Sequence, residues 1–227
     1  GKLPENTIVA CGLTPSVYEM LNIPYLRWNG WISRGEIGFS NHSWIWMDEA
    51  ITEYGYLSSC NNYYFNLLFS THHIGRESLD KYQDFMVRNE GVEHKEWDYI
   101  SGAVPLANPK NPRLTQDGLI MCGTISGAMD PFFWFGILGA LVTGKVAAMA
   151  VYDRAKAEEE FARFTRRFGS AYRFKNAIWY KIRPHVGMIE RSVKLVGKRN
   201  LESIAEIAFA SGIVPFATPG FAQLGVY

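Results

Sequence analysis

Between Gly118 and Ala148 the chain reads Gly118-Leu-Ile-Met-Cys-Gly123-Thr-Ile-Ser-Gly127-Ala-Met-Asp-Pro131-Phe-Phe-Trp-Phe-Gly136-Ile-Leu-Gly-Ala-Leu-Val-Thr-Gly144-Lys-Val-Ala-Ala148. An apolar run, Leu119–Cys122, stops at a glycine loop; proline and glycine follow, and then a helical pattern begins. That order predicts a buried strand, a tight turn and a helix. Backbone N–H groups at such a helix start, with the positive end of the dipole behind them, stabilise an anion or an electron-rich ring edge. Small residues at Gly136, Gly139, Ala140, Thr143, Gly144, Ala147 and Ala148 recur every three or four positions, giving a flat face for close approach. The same spacing serves helix pairing in membranes. The uninterrupted apolar run from Pro131 to Gly144 nevertheless ends at Lys145, short of the roughly 20 residues a spanning helix needs. A buried helix is expected.

Around this segment, Thr7–Ala10 predicts a strand, and Gly12-Leu-Thr-Pro-Ser16 a turn into a short helix at Val17–Leu21. Residues 25–70 are rich in Trp, Tyr, Phe and Ile. Trp44–Trp46, Gly55–Leu57 and Tyr63–Phe69 predict strands of an antiparallel sheet. Leu79, Tyr82, Phe85 and Met86 place a helical stripe within 77–89. After Gly136 the pattern predicts one long helical stretch to about Phe168. The fold class expected is α+β. Residues 25–108 would form an antiparallel-sheet domain and 153–227 a helical tail, whose end from Phe209 docks on another surface.

Several classes are disfavoured. The formal net charge of +1 argues against a nucleic-acid binder. Cys11, Cys60 and Cys122 are odd in number and far apart, which suits a reducing, cytoplasmic setting without disulfides. His72 and His73 are adjacent rather than four apart, and His42, His94 and His185 lack Cys or acidic companions at ligand spacing, so no metal is expected. No Gly-x-Ser-x-Gly elbow and no phosphate-binding Walker loop occurs. The near-neutral balance hides polarity: residues 151–200 hold 13 basic and 5 acidic side chains, the rest 10 and 17. Peripheral contact of this basic, Phe-rich region (Phe161, Phe164, Phe168, Tyr172, Phe174, Trp179) with an anionic membrane is one expectation. Packing of those aromatics on the body, with Arg and Lys solvated, is the favoured one.

The glycine segment resembles the C-terminal flavin-contact motif of the FAD-dependent geranylgeranyl reductase family, within the flavoprotein class that includes aromatic hydroxylases. That pattern runs Gly-Asp-Ala-Ala-Gly, Pro, Gly-x-Gly-Ile, then Ala-x-x-Ser-Gly-x-x-Ala-Ala. Gly123, Gly127, Pro131, Gly136, Ile137, Gly144, Ala147 and Ala148 match it, and Thr143 stands for the Ser. Thr124 replaces the Asp that bonds the ribityl chain, and Trp134 the first glycine of the turn. Cys11-Gly12-Leu-Thr-Pro-Ser16-Val17 resembles the family's Asp-Gly-x-x-Ser-x-Val/Arg segment, with Cys11 for Asp and Tyr18 for Arg. Tyr54-Gly-Tyr56-Leu-Ser58 resembles its substrate-domain Tyr-x-Trp motif, and Gly102-Ala-Val-Pro105 the Gly-x-x-Pro before the last strand.

The resemblance implies an FAD-dependent oxidoreductase that reduces carbon–carbon double bonds of a prenyl or other apolar substrate, with residues 1–24 and 109–152 as parts of a Rossmann-like FAD-binding domain. Gly12, Ser16, Gly123, Thr124, Gly127, Pro131, Gly136 and Ile137 would contact the cofactor; Tyr54, Tyr56 and Trp134 would contact the substrate. No catalytic acid is assigned. The Gly-x-Gly-x-x-Gly that holds the ADP half is absent from these 227 residues. The chain is therefore expected to be a C-terminal portion, truncated or working with a separate nucleotide-binding half. Alternatives are a flavin-dependent hydroxylase, a non-catalytic module binding a prenyl lipid or partner, suggested by the replacements at Cys11, Thr124 and Trp134, and a membrane-spanning interaction protein.

Overall fold

The computed structural model describes residues 3–38, 42–48, 51, 53–185, 187–188 and 191. In chain order these form β1 (Ile8–Val9), α1 (Pro15–Met20), β2 (Leu26–Glu36), β3 (His42–Trp46), β4 (Gly55–Cys60), β5 (Tyr63–Ser70) and α2 (Arg76–Phe85), which runs on through a wider turn, Met86–Glu90. Then come β6 (Asp98–Val104), β7 (Thr115–Gln116), β8 (Leu119–Met121), a 3-10 turn (Gly123–Ser126), α3 (Ile137–Tyr152), α4 (Arg154–Thr165), α5 (Phe168–Phe174) and α6 (Tyr180–Ile182). The class is α+β, with antiparallel strand pairs and packed helices. Two compact units divide the chain: residues up to Leu26 together with Ala103–Ile182, and Arg27–Gly102.

In the first unit a three-stranded sheet has the order β1-β8-β7. β1 and β8 are parallel, Ile8 opposite Ile120 and Val9 opposite Met121. β7 and β8 form a hairpin turned by Asp117-Gly118, both left-handed at φ 50° and 82°. That is the backbone a two-residue type I′ turn requires. β8 is apolar throughout because both its faces are covered. Ile120 packs with Leu114, Val142, Val146, Ala150, Phe161 and Phe164 of one core cluster. Leu119 and Met121 pack with Val9, Tyr18, Leu21 and Ile23 of another.

The long helix expected after Gly136 is interrupted. Asp153 leaves helical geometry (φ −141°, ψ 86°), and its Oδ1 accepts from Lys156 N at 3.0 Å, capping α4. Asp is a favoured N-cap, and a local side-chain bond replaces the missing intrahelical one. Phe161, Phe164 and Phe168 are buried at 5%, 7% and 2% exposure, so these aromatics belong to the body of the unit. No helix among the described residues is long and apolar enough to cross a membrane. The segment from Phe209 lies outside the described residues.

The second unit is a five-stranded sheet ordered β3-β4-β5-β2-β6, with α2 on one face. β3/β4, β4/β5 and β5/β2 pair antiparallel. Asn61 and Asn62 turn the β4/β5 hairpin at φ 51° and 66°, again the I′ combination, which Asn tolerates better than other side chains. Leu79, Tyr82 and Met86 of the α2 segment meet Leu57, Leu68, Ile51 and Ile74 beneath. The Tyr82 hydroxyl donates to Asn66 Oδ1 at 2.6 Å in that core. β2 spans 11 residues with two internal glycines, so it carries little strand signature. A Cβ on Gly30 would fall on the Leu68 carbonyl oxygen.

Candidate functional site

The parallel pair β1 and β8 sets the site. Ile120 N donates to Thr7 O and Cys122 N to Val9 O, each at 2.9 Å, so both strands end side by side. The chain leaves β1 through Cys11-Gly12 and leaves β8 through Cys122-Gly123. In open sheets with parallel strands, ligands bind outside the carboxyl ends. Gly12 and Gly123 are both left-handed, at φ 61° and 74°, and a Cβ on either would meet nothing within 4 Å. Their bare backbones thus offer surfaces a ligand can approach closely. Ser16 stands exposed in the first turn of α1, four residues beyond Gly12.

α3 begins beside this edge. Gly136 is its N-cap, no side chain caps it, and the first turn contains no acid, so the helix end keeps its donor groups and positive pole. A Cβ on Gly136 would lie 3.3 Å from Thr124 Oγ1 and 3.2 Å from Met129 Cε, which brings Thr124 and Gly136 together. Ile137 is 83% exposed. Thr143, one and a half turns into α3, ties the helix to the glycine turn. Its Oγ1 accepts from Gly123 N at 2.8 Å and donates to Gly139 O at 2.7 Å. A hydroxyl is required for that double role, which accounts for a Ser or Thr at this position. Cys122 lies against the same hydroxyl, and burial pushes its thiol pKa up.

Gly127 and Pro131 serve packing. A Cβ on Gly127 would approach Pro112 Cα and N at 2.7 Å, and Pro131 is buried near Pro105, Pro112 and Phe168. At Trp134 the backbone is left-handed, φ 59°, the conformation for which glycine is the natural residue. The indole is 9% exposed, and the buried Lys175 ammonium lies 4.9 Å from its ring centroid. Asp130 shapes this turn. Its Oδ2 accepts from Phe132 N at 3.1 Å and Phe133 N at 2.7 Å, while its buried Oδ1 has no hydrogen-bond partner. Burial raises the carboxyl pKa from 3.8 to about 6, partly offset by the Phe133 N–H, Lys175 and the Phe132 N–H.

Tyr54 and Tyr56 stand in the second unit. Tyr54 is 6% exposed, its ring edge-on to Phe69 at 4.7 Å, and Phe69 meets Trp28 at 6.2 Å. Tyr56 is half-buried opposite Leu67 and Ile45 on the sheet face away from α2. Phe65 and Ile45 on that face are 41% and 45% exposed. This is an apolar, aromatic wall suited to a hydrocarbon.

Tyr18, where the resembling pattern has Arg, is fully buried; its hydroxyl donates to Gly12 O at 3.2 Å and holds the first loop against α1. Burial raises its phenol pKa. Asp130 and Lys175 are 45 positions apart, and no local pattern marks them as a pair. Cys11, Cys60 and Cys122 are free thiols. His73 Nδ1 lies 3.0 Å from Tyr99 Oη, and no group of three metal-ligating side chains occurs among the described residues.

No family model matches the chain, and no curated protein matches it. Solved structures with a similar course include a geranylgeranyl bacteriochlorophyll reductase-like protein from Thermoplasma acidophilum, at 16% identity and TM-score 0.45, covering 70% of this chain and 43% of that one. A flavin-dependent halogenase from Brevundimonas sp. BAL3 has 12% identity and TM-score 0.48, covering 76% of this chain and 37% of its own. The chain spans less than half the length of either.

Proposed function

We propose that the carboxyl edge of β1 and β8, with the N-terminus of α3, is the flavin-contact edge of an FAD-dependent oxidoreductase of the geranylgeranyl reductase type. The observation that carries this reading is the convergence of two left-handed glycines with open space above them and an uncapped helix start. Gly12, Gly123 and Gly136 provide backbone approach; Thr124 offers a hydroxyl where the resembling pattern has a carboxylate; the α3 N–H groups face an electron-rich edge. Gly127, Pro131 and Trp134 shape the turn that presents Gly136 and Ile137, and Ser16 is the proposed contact from α1. FAD, when bound, supplies the two-electron chemistry; the protein's part is to hold the ring and exclude water.

Tyr54 and Tyr56, on the aromatic sheet face, are the proposed contacts for an apolar, prenyl-type substrate. The ADP half of the cofactor is proposed to be held by a separate nucleotide-binding segment or subunit. The setting proposed is cytoplasmic, with peripheral membrane contact through the basic helices.

The test is titration of the purified chain with FAD, followed by quenching of flavin fluorescence, for wild type and Gly123→Val. A side chain at that left-handed, open position is strained and intrudes on the approach. Binding by wild type that falls at least tenfold in the variant supports the reading. Absence of binding, or equal binding by both, refutes it. A second reading, a non-catalytic module for a prenyl lipid, draws on Thr124 in place of the carboxylate. It predicts lipid binding without saturable flavin binding.

A further inference from the structure

The turn between Gly127 and α3 carries three costs at the place where it delivers Gly136. Trp134 is held left-handed at φ 59°, a strained backbone for an aromatic residue. Asp130 is fully buried, and its Oδ1 has no hydrogen-bond partner. Lys175 is 2% exposed. A buried carboxylate and a buried ammonium lose hydration that their attraction returns only in part, and apolar side chains of similar volume would pack here at lower cost. Strain of this kind persists where the surrounding structure enforces it, and it gathers at sites that need a fixed geometry.

Asp130 holds the turn through its side chain and its backbone. Its Oδ2 accepts from Phe132 N and Phe133 N, its N donates to Phe135 O at 3.0 Å, and its O accepts from Trp134 N at 2.9 Å. Lys175 arrives from outside the turn, at the head of the segment Lys175–Trp179 that follows α5. Its ammonium lies 4.9 Å from the Trp134 ring centroid and 5.4 Å from that of Tyr180, and its charge acts on Asp130. One residue earlier, the Phe174 ring meets Phe132 at 5.8 Å. Consecutive residues of the helical tail thus fasten it to this turn.

We propose that Asp130 and Lys175 are positioning residues of the flavin edge: their opposite charges tie the helical tail to the turn that presents Gly136, and FAD binds the form in which Asp130 is ionised. The inference rests on the flavin reading and adds a pH dependence to it. A proton on Oδ1 leaves Oδ2 a neutral acceptor, so the bonds from Phe132 N and Phe133 N lose their charge assistance and Lys175 its counter-charge. Lys175 is the charged group that acts on Asp130, and the Tyr180 phenol ring faces Lys175 from α6. Burial sets the uptake of that proton at about pH 6. Flavin affinity is then complete well above this pH and is lost as the pH falls through it.

Titration of the whole chain with FAD, followed by quenching of flavin fluorescence from about pH 8 down to about pH 5, reads the proposal, with circular dichroism at each pH to show the fold intact. FAD is the probe because the phosphate monoester of FMN itself titrates near about pH 6. Wild type is expected to lose affinity about fivefold or more across this range. Asp130→Asn keeps an acceptor for both N–H groups without the charge, so its affinity should match the acid value of wild type at every pH. Lys175→Met should move the midpoint to higher pH, because Asp130 then lacks its counter-charge. A pH-independent affinity in wild type overturns the proposal and leaves the flavin reading standing. So do variants that weaken binding equally at every pH with the midpoint in place, the mark of a merely structural role. No saturable binding by wild type at any pH refutes the flavin reading and the proposal with it.

Discussion

Replacing glycine by alanine inside a helix ordinarily stabilises it by roughly 0.5–1 kcal/mol, because alanine loses less backbone freedom on folding. On α3 the same change should have opposite signs at two positions five residues apart. At Gly144 a Cβ finds open space, so Gly144→Ala should gain up to about 1 kcal/mol. At Gly139 a Cβ falls on the Ala128 carbonyl oxygen and comes within 2.8 Å of its carbon, both backbone atoms that no side-chain rotation can move. α3 would have to shift away from the loop that carries Gly127 and Asp130. The propensity gain is then outweighed by overpacking of about 1–3 kcal/mol, and the Thr143 bond to Gly123 N is drawn out with it. Urea unfolding at low protein concentration, with equal m-values, would separate the variants by about 2–4 kcal/mol once the two effects combine. Equal shifts for both variants, or stabilisation by Gly139→Ala, would refute the close approach of α3 to this loop.

Other outcomes follow from single contacts. Thr143→Val should cost about 1–2 kcal/mol in urea unfolding by leaving Gly123 N–H unpaired, whereas Thr143→Ser should be nearly neutral. Tyr82→Phe removes the buried hydrogen bond to Asn66 Oδ1 and should cost about 1–3 kcal/mol, read as a lower thermal midpoint. Two buried groups oppose each other in acid. Asp130, raised to about 6, binds its proton in the folded state first, so its contribution to stability grows as pH falls from about 6 towards 4. His94, lowered by burial to about 4, is protonated first in the unfolded chain, so its contribution is lost as pH falls from 6.5 towards 4. Wild type should therefore show a shallow slope over this window. Asp130→Asn should leave stability falling steeply on acidification, and His94→Phe should reverse the slope; unchanged slopes in urea titrations at several pH values would contradict both assignments.

The elements with a strong local period are legible in the sequence. Tyr63–Phe69 marked β5, Leu79, Tyr82 and Met86 marked the buried stripe of α2, and the order of glycines and proline marked β8, its turn and α3. β2 carries no strand signature of its own, because Asn29, Gly30, Ser33 and Gly35 interrupt its apolar run; its register comes from β5, not from propensity. β6 (Asp98–Val104) is hidden for a related reason, Gly102-Ala103 falling within it and Pro105 following it directly. The break at Asp153 has no glycine or proline to announce it, only a capping side chain. In the site, the open glycines were visible as residue types. The role of Thr143 as a bridge, and the meeting of Asp130 with Lys175 and Trp134, depend on tertiary packing and leave no spacing to read.

The flavin assignment rests on a ring-contact edge without the groups that hold an adenine nucleotide. Titration of the purified chain with FMN and with FAD, followed by quenching of flavin fluorescence, tests that most directly. Saturable binding of both is expected, with dissociation constants within a few-fold of each other, since the AMP unit that FAD adds to FMN is proposed to be held by a separate nucleotide-binding half. No saturable quenching by either ligand up to about 1 mM, an affinity of only about −4 kcal/mol, would contradict it.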